Sequence, residues 1–135
     1  MKITQEGDYA LRVVLFFSKL SPGEKIEARV MSESACIPLR FLLKLLRKLT
    51  VAGILRSCRG VGGGYILAKP PAEISLFDVI TAIDGPINLN KCLYDPALCT
   101  AAHSDICEVH RALGTIQERF IKDLQSVTFE KIIAE

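Results

Sequence analysis

Leu42, Leu45, Leu46 and Leu49 recur at i, i+3, i+4 and i+7, a spacing that only a helix gathers into one stripe. Arg40, Lys44, Arg47 and Lys48 fall mainly on the other side, with Leu43 among them. A helix divided in this way has to seat its leucines in a core and leave its cations outside. It is expected to begin at about Pro38, since proline is tolerated at the first helical position. Ahead of it, Glu27 to Ser34 reads as a short second helix and Ala35-Cys36-Ile37-Pro38 as a turn. Asp8 is expected to cap a first helix that runs to about Leu20 and stops at Ser21-Pro22-Gly23. Leu11, Val13, Val14, Leu15, Phe16 and Phe17 leave that first helix almost no polar face. It therefore needs cover on both sides, and in a chain of 135 residues the second cover is expected from another subunit.

Two short helices joined by a tight turn, the second one basic, make a helix-turn-helix pattern. The next stretch extends it. Ile54-Leu55 and Tyr65-Ile66-Leu67 are strand candidates around a glycine-rich, arginine-bearing tip, a hairpin wing. A dinucleotide fingerprint would need glycine where Tyr65 stands, and a phosphate-binding loop would need Lys-Ser/Thr after the last glycine. Neither fits. Charge is uneven as well: residues 25–69 hold nine Lys/Arg against Glu27 and Glu33, so the rest of the chain is net acidic. A concentrated positive segment suits a polyanion such as DNA, with Arg59 at the wing tip suited to the focused potential of a narrow minor groove.

Downstream of Pro70-Pro71, Ser75 is expected to cap a helix carrying Leu76, Val79, Ile80 and Ile83, ended by Asp84-Gly85-Pro86. The stretch 91–110 then reads KCLYDPALCTAAHSDICEVH, a C-x6-C-x7-C-x2-H spacing over Cys92, Cys99, Cys107 and His110. Three thiols and an imidazole suit a soft or borderline metal centre. From about Ser104 a long helix is expected, with Ile106, Val109, Leu113, Ile116, Phe120, Leu124 and Val127 as a sustained seam. No other element has comparable length, so the seam is expected to pair with its own copy in a homodimer. Residues 128–135 form a candidate last short helix. The fold expected is mainly α with a small β-hairpin wing: residues 1–85 a winged helix-turn-helix DNA-binding domain, residues 86–135 a cysteine-bearing sensor loop and dimerisation helix. Five cysteines, an odd number, without a signal sequence argue for reduced thiols in the cytoplasm. The apolar run Leu11 to Phe17 is too short to span a membrane.

LRFLLKLLRKL at 39–49, RGVGGGYILAKP at 59–70, DVITAIDGP at 78–86 and the spaced cysteines together resemble the Rrf-two family of winged-helix transcriptional regulators, IscR-, NsrR- and RirA-like. The likeness runs from GDYALR at 7–12 to TFEKII at 128–133, and the RGxGGGY wing is its most specific part. It implies a dimer held by crossed long helices, and transcription control, repression included, through a labile iron–sulfur cluster. Carried over by position, Arg40, Phe41 and Lys44 address the major groove and Arg59 the minor groove of operator DNA. Arg47 extends the basic face and Gly60 adjoins Arg59, completing the candidate DNA-binding set. Leu43 stands where a polar base-reading residue is expected, and Cys36 where glycine would be comfortable.

The same resemblance makes Cys92, Cys99 and Cys107 thiolate ligands. The fourth ligand has two candidates: His110, one helical turn after Cys107, or Asp8 supplied by the partner subunit. His110 suggests a two-iron (2Fe–2S) cluster and Asp8 a four-iron (4Fe–4S) one; a hard carboxylate among soft ligands would leave easily. The metal set is thus Cys92, Cys99 and Cys107 with Asp8 or His110, and His103 is a bystander. The implied signal is iron, nitric oxide or redox state. The alternatives are a cluster-free, thiol-based or partner-regulated repressor of the same fold, and a protein with structural Cys3His zinc, against which the lack of a close C-x2-C pair counts. A thiol-dependent protein has only Cys107–His110 to offer and no further catalytic motif, so no enzyme is expected.

Overall fold

Thr4, not Asp8, starts the first helix. The computed structural model describes residues 2–90, Leu93, Ala97 and residues 107–135. Within these, α1 spans Gln5–Ser18, α2 Ala28–Ala35, α3 Leu39–Val51, β1 Leu55–Cys58, β2 Gly64–Leu67, α4 Leu76–Asp84, α5 Glu108–Ser126 and α6 Phe129–Ala134. A 3-10 turn, Pro71–Glu73, leads into α4. The Thr4 hydroxyl accepts from the Gly7 amide at 3.0 Å and donates to the Asp84 carboxylate at the end of α4. The Thr4 amide donates to the same carboxylate at 3.2 Å. A hydroxyl cap with a carboxylate behind it satisfies the orphan donors better than Asp8 alone, and the anion sits at the positive end of α1. Asp8 instead lies inside the first turns, exposed, with Arg12 at 3.4 Å.

The leucine stripe of α3 does what its spacing predicts. Leu42, Leu45, Leu46 and Leu49 are all buried, and Ala10, Val13, Val14 and Phe17 of α1 join them in the core. Met31 of α2 and Val79 of α4 close it. Ser75 caps α4 as expected: its hydroxyl accepts from the Asp78 amide at 3.2 Å, and the Asp78 carboxylate accepts from the Ser75 amide at 2.9 Å. The turn between α2 and α3 carries Cys36 at φ 55° and ψ 46°, the left-handed region where a β-carbon costs roughly 1–2 kcal/mol. Ser32 holds it from both sides: its carbonyl accepts from the Ile37 amide at 3.2 Å and its hydroxyl donates to the Ile37 carbonyl at 2.6 Å.

The C-terminal segment returns to the core. Phe129 is 1% exposed and belongs to the same cluster as α1 and α3. The Leu76 amide donates to the Val127 carbonyl at 3.0 Å and the Phe129 amide to the Ile74 carbonyl at 2.9 Å, stitching the start of α6 to the approach of α4.

The helix before it, α5, is the opposite case. None of its residues is buried, and Val109, Ile116 and Phe120 stay 63%, 52% and 37% exposed. Its N-cap is Cys107; Ser104 and Ile106 of the expected helix lie outside the described residues. Val127 is its extended C-cap rather than part of the helical seam. Among the described residues no helix is long and apolar enough to cross a membrane.

Candidate nucleic-acid interface and metal centre

Burying one face of α3 leaves the other to solvent. Arg40, Phe41, Lys44 and Arg47 are all exposed there. Lys48 departs from this group. Its Nζ lies 2.7 Å from Glu6 Oε1, half-buried, and joins the last turn of α3 to the first turn of α1. Paired at partial exposure, it contributes about 0.2–1 kcal/mol and is held off the cationic face.

The wing is a two-stranded antiparallel hairpin with Leu55 opposite Leu67, Arg56 opposite Ile66, Ser57 opposite Tyr65 and Cys58 opposite Gly64. Its strands are longer than the sequence suggested, because Arg56, Ser57 and Cys58 continue the first one. Ile26 pairs with Tyr65 on the outer side, amide to carbonyl at 3.0 Å and 2.9 Å. Gly64 allows this approach: a β-carbon there would lie 2.6 Å from the Ile26 carbonyl oxygen. Arg59 and Gly60 sit exposed at the tip. Gly60 has φ 97°, which glycine adopts freely, and its carbonyl accepts from the Gly63 amide at 2.9 Å. The segment that carries Ile26 also brings Lys25 to the wing, its Nζ 3.8 Å from where a side chain on Gly62 would begin.

Of the candidate metal ligands, Cys107 and His110 stand three residues apart at the start of α5, both half-buried. Cys107 is the N-cap, its backbone extended at φ -75° and ψ 122°, so only His110 of the two has helical registration. Asp8 sits on α1, and Cys92, Cys99 and the bystander His103 lie outside the described residues. Among the described residues no three His, Cys, Asp or Glu side chains gather as a metal site. One guanidinium links Asp8 to the helix-turn-helix. Arg12 reaches the Asp8 carboxylate at 3.4 Å and donates to the Ala35 carbonyl, the last residue of α2, at 3.3 Å. Its carbon lies 5.2 Å from the Tyr9 ring centroid. Beside this pair a groove of about 340 Å³ runs between α1, the start of α4 and α6, lined by Leu11, Leu15, Leu76 and Ile132. It is the side of α1 that the core leaves open.

A family model described as Rrf2, iron-dependent transcriptional regulator, matches residues 3–135. The chain belongs to the Rrf2 family. Among its relatives, the HTH-type transcriptional regulator IscR of Serratia proteamaculans is 30% identical over 133 residues, 98% of this chain and 79% of the relative. The HTH-type transcriptional regulator NsrR of Bacillus subtilis is 26% identical over 133 residues, 98% and 90% of the two chains. The solved structure of CymR, the global cysteine regulator of B. subtilis, superposes with a TM-score of 0.74 at 26% identity, over 99% of this chain and 97% of that one. Membership in Rrf2 makes this a DNA-binding, winged-helix transcriptional regulator and not an enzyme. The mainly helical fold with an antiparallel hairpin wing agrees with what the sequence predicts.

For an Rrf2 protein the sequence reading of the wing missed Lys25. Its position at the head of the basic segment was a signal, but only the Ile26–Tyr65 pairing reveals which residues it meets. In sequence Lys48 reads as one of the outward cations, and its Glu6 partner lies on a helix that no local pattern connects to α3.

Proposed function

We propose that this Rrf2 protein is a homodimeric cytoplasmic repressor whose grip on operator DNA is set by an iron–sulfur cluster responsive to iron, nitric oxide or redox state. In this reading residues 1–85 bind DNA and residues 86–135 sense and dimerise. The observation that carries the DNA half is the cationic outer face of α3, exposed while its inner face is wholly buried. Arg40, Phe41, Lys44 and Arg47 then meet the major groove, with Arg59 and Gly60 at the minor groove. Arg59→Ala is expected to weaken operator binding by about 1–3 kcal/mol and to lower the slope of log affinity against log salt by about one. An unchanged salt titration would remove the wing from the interface.

Dimerisation draws support from the exposed seam of α5 and the open groove on α1. Apolar residues regularly spaced along a 19-residue helix with none buried need cover from outside the chain. Ile116→Asp is expected to convert a dimer into a monomer in sedimentation equilibrium. A native protein that sediments as a monomer at micromolar concentration would refute this part.

For the cluster, the donor set is the argument. Cys92, Cys99 and Cys107 supply soft thiolates, and the partner subunit's Asp8 or this chain's His110 fills the fourth position. When bound, the cluster supplies a redox-active centre sensitive to oxidants and nitric oxide. The likeness to CymR, a cysteine regulator, favours a second reading in which the same fold controls transcription without iron. Anaerobic reconstitution separates the two. Iron and sulfide bound in equal, stoichiometric amounts with visible absorption are expected, whereas a colourless protein without either would leave the cluster-free reading.

A further inference from the structure

The outer face of α3 is not uniformly cationic. Leu43 keeps 46% of its surface exposed, although it follows Arg40 by three residues and precedes Arg47 by four, which makes them neighbours on one side of the helix. The stripe that anchors α3 is complete without it, since Leu42, Leu45, Leu46 and Leu49 are each at most 1% exposed. A single exposed leucine on an ordinary surface needs no explanation. Set between two arginines on the face turned to the bases, it has a chemistry of its own. The arginines and Lys44 select a polyanion, so the surface that covers Leu43 is a duplex. In a major groove, polar base edges suit the cations, and the one apolar group on offer is the C5-methyl of thymine.

We infer that Leu43 is a specificity residue that reads a thymine methyl, so that each operator half-site carries a thymine beneath the first turns of α3. The inference rests on the DNA-binding reading above and adds the base that is recognised. Removing a group the size of a methyl from a buried apolar contact lowers affinity about fourfold. Replacing the leucine by a polar residue would lose this preference and leave the phosphate contacts intact.

The full-length chain, with and without anaerobic loading with iron and sulfide, is used to select binders from a library of random-sequence duplexes. Each thymine of the selected duplex is then changed to deoxyuridine, which removes the 5-methyl and keeps the base pair. One position per half-site is expected to lose about fourfold in affinity with the native chain. With Leu43→Ala the loss at that position should vanish, while Leu43→Ile should retain it. An unchanged thermal midpoint is expected for both variants, because residue 43 is solvent-facing. If every thymine tolerates the change, or if Leu43→Ala responds like the native chain, the inference is overturned and DNA binding stands. If neither preparation enriches any duplex over the starting pool, the DNA-binding reading fails and takes this one with it.

Discussion

Phe129→Ala is expected to destabilise the protein by about 3–5 kcal/mol, the usual range for emptying a large aromatic site in a core. Single domains have about 5–15 kcal/mol to lose, so the change removes a large share of the margin. Phe129 is among the largest fully buried side chains and is 1% exposed. It also stands at the first position of α6, where Thr128 caps the helix by accepting from the Lys131 amide at 3.3 Å. A helix of six residues has no stability of its own, so the ring is what keeps it docked. Its loss frees the Leu76–Val127 and Phe129–Ile74 backbone bonds together and should make the C-terminal segment an early site of hydrogen exchange. Urea titrations at one fixed protein concentration check the magnitude. Ile133→Ala, a change on the same helix at an exposed position, is the control. Equal midpoints for the two variants would mean that α6 is not anchored in the core.

That anchor was hardly visible in the sequence, and the reason is length. Nine residues after α5 are too few for a hydrophobic period to declare itself, so the expected last short helix gives no sign that Phe129 is its buried residue until the pairing of Ser75 with Thr128 brings it home. By contrast, Leu42, Leu45, Leu46 and Leu49 span two turns and fix both the helix and its inward face. The wing and the Ser75 cap were legible for a similar reason: glycine runs and capping boxes are local rules. The start of α1 was not. Thr4 and Asp8 both suit a cap, and the choice falls to Asp84, 80 residues further along, which no nearby residue announces. Cys36 shows a related limit. The sequence marks a place where glycine would be comfortable, but only Ser32 and the packing around it reveal that cysteine takes the left-handed conformation anyway. For the metal centre the sequence supplies donor types and intervals. Intervals of six and seven residues do not fix orientation, and the expected helical pairing of Cys107 with His110 fails because the helix begins at Glu108, leaving Cys107 as its extended N-cap.

Cys107→Ala is expected to give a folded protein that retains no iron or sulfide after anaerobic reconstitution and whose operator affinity no longer responds to that treatment. In the native protein the same treatment should shift operator affinity by about 5–150-fold, equivalent to a coupling of about 1–3 kcal/mol. The physical reason lies in what the candidate ligands touch. Cys107 is the N-cap of α5, so constraining it constrains the start of the helix whose exposed seam is the proposed dimer contact. Asp8 shares Arg12 with the Ala35 carbonyl at the end of α2, one residue before the left-handed Cys36 and the recognition helix. An exposed pair of this kind is worth only about 0.3–0.5 kcal/mol, so it can be exchanged for another partner without unfolding the head. Asp8→Ala and His110→Ala separate the two candidates. The variant that binds less iron identifies the fourth ligand, and Asp8 is expected, because a carboxylate supplied across the dimer would couple the cluster to the partner subunit's first helix. A His110→Ala protein that loses its iron while Asp8→Ala keeps it would assign the fourth position to α5 instead. Native protein with the same operator affinity loaded and stripped would end the sensing proposal altogether, since a ligand that distinguishes no state can shift none.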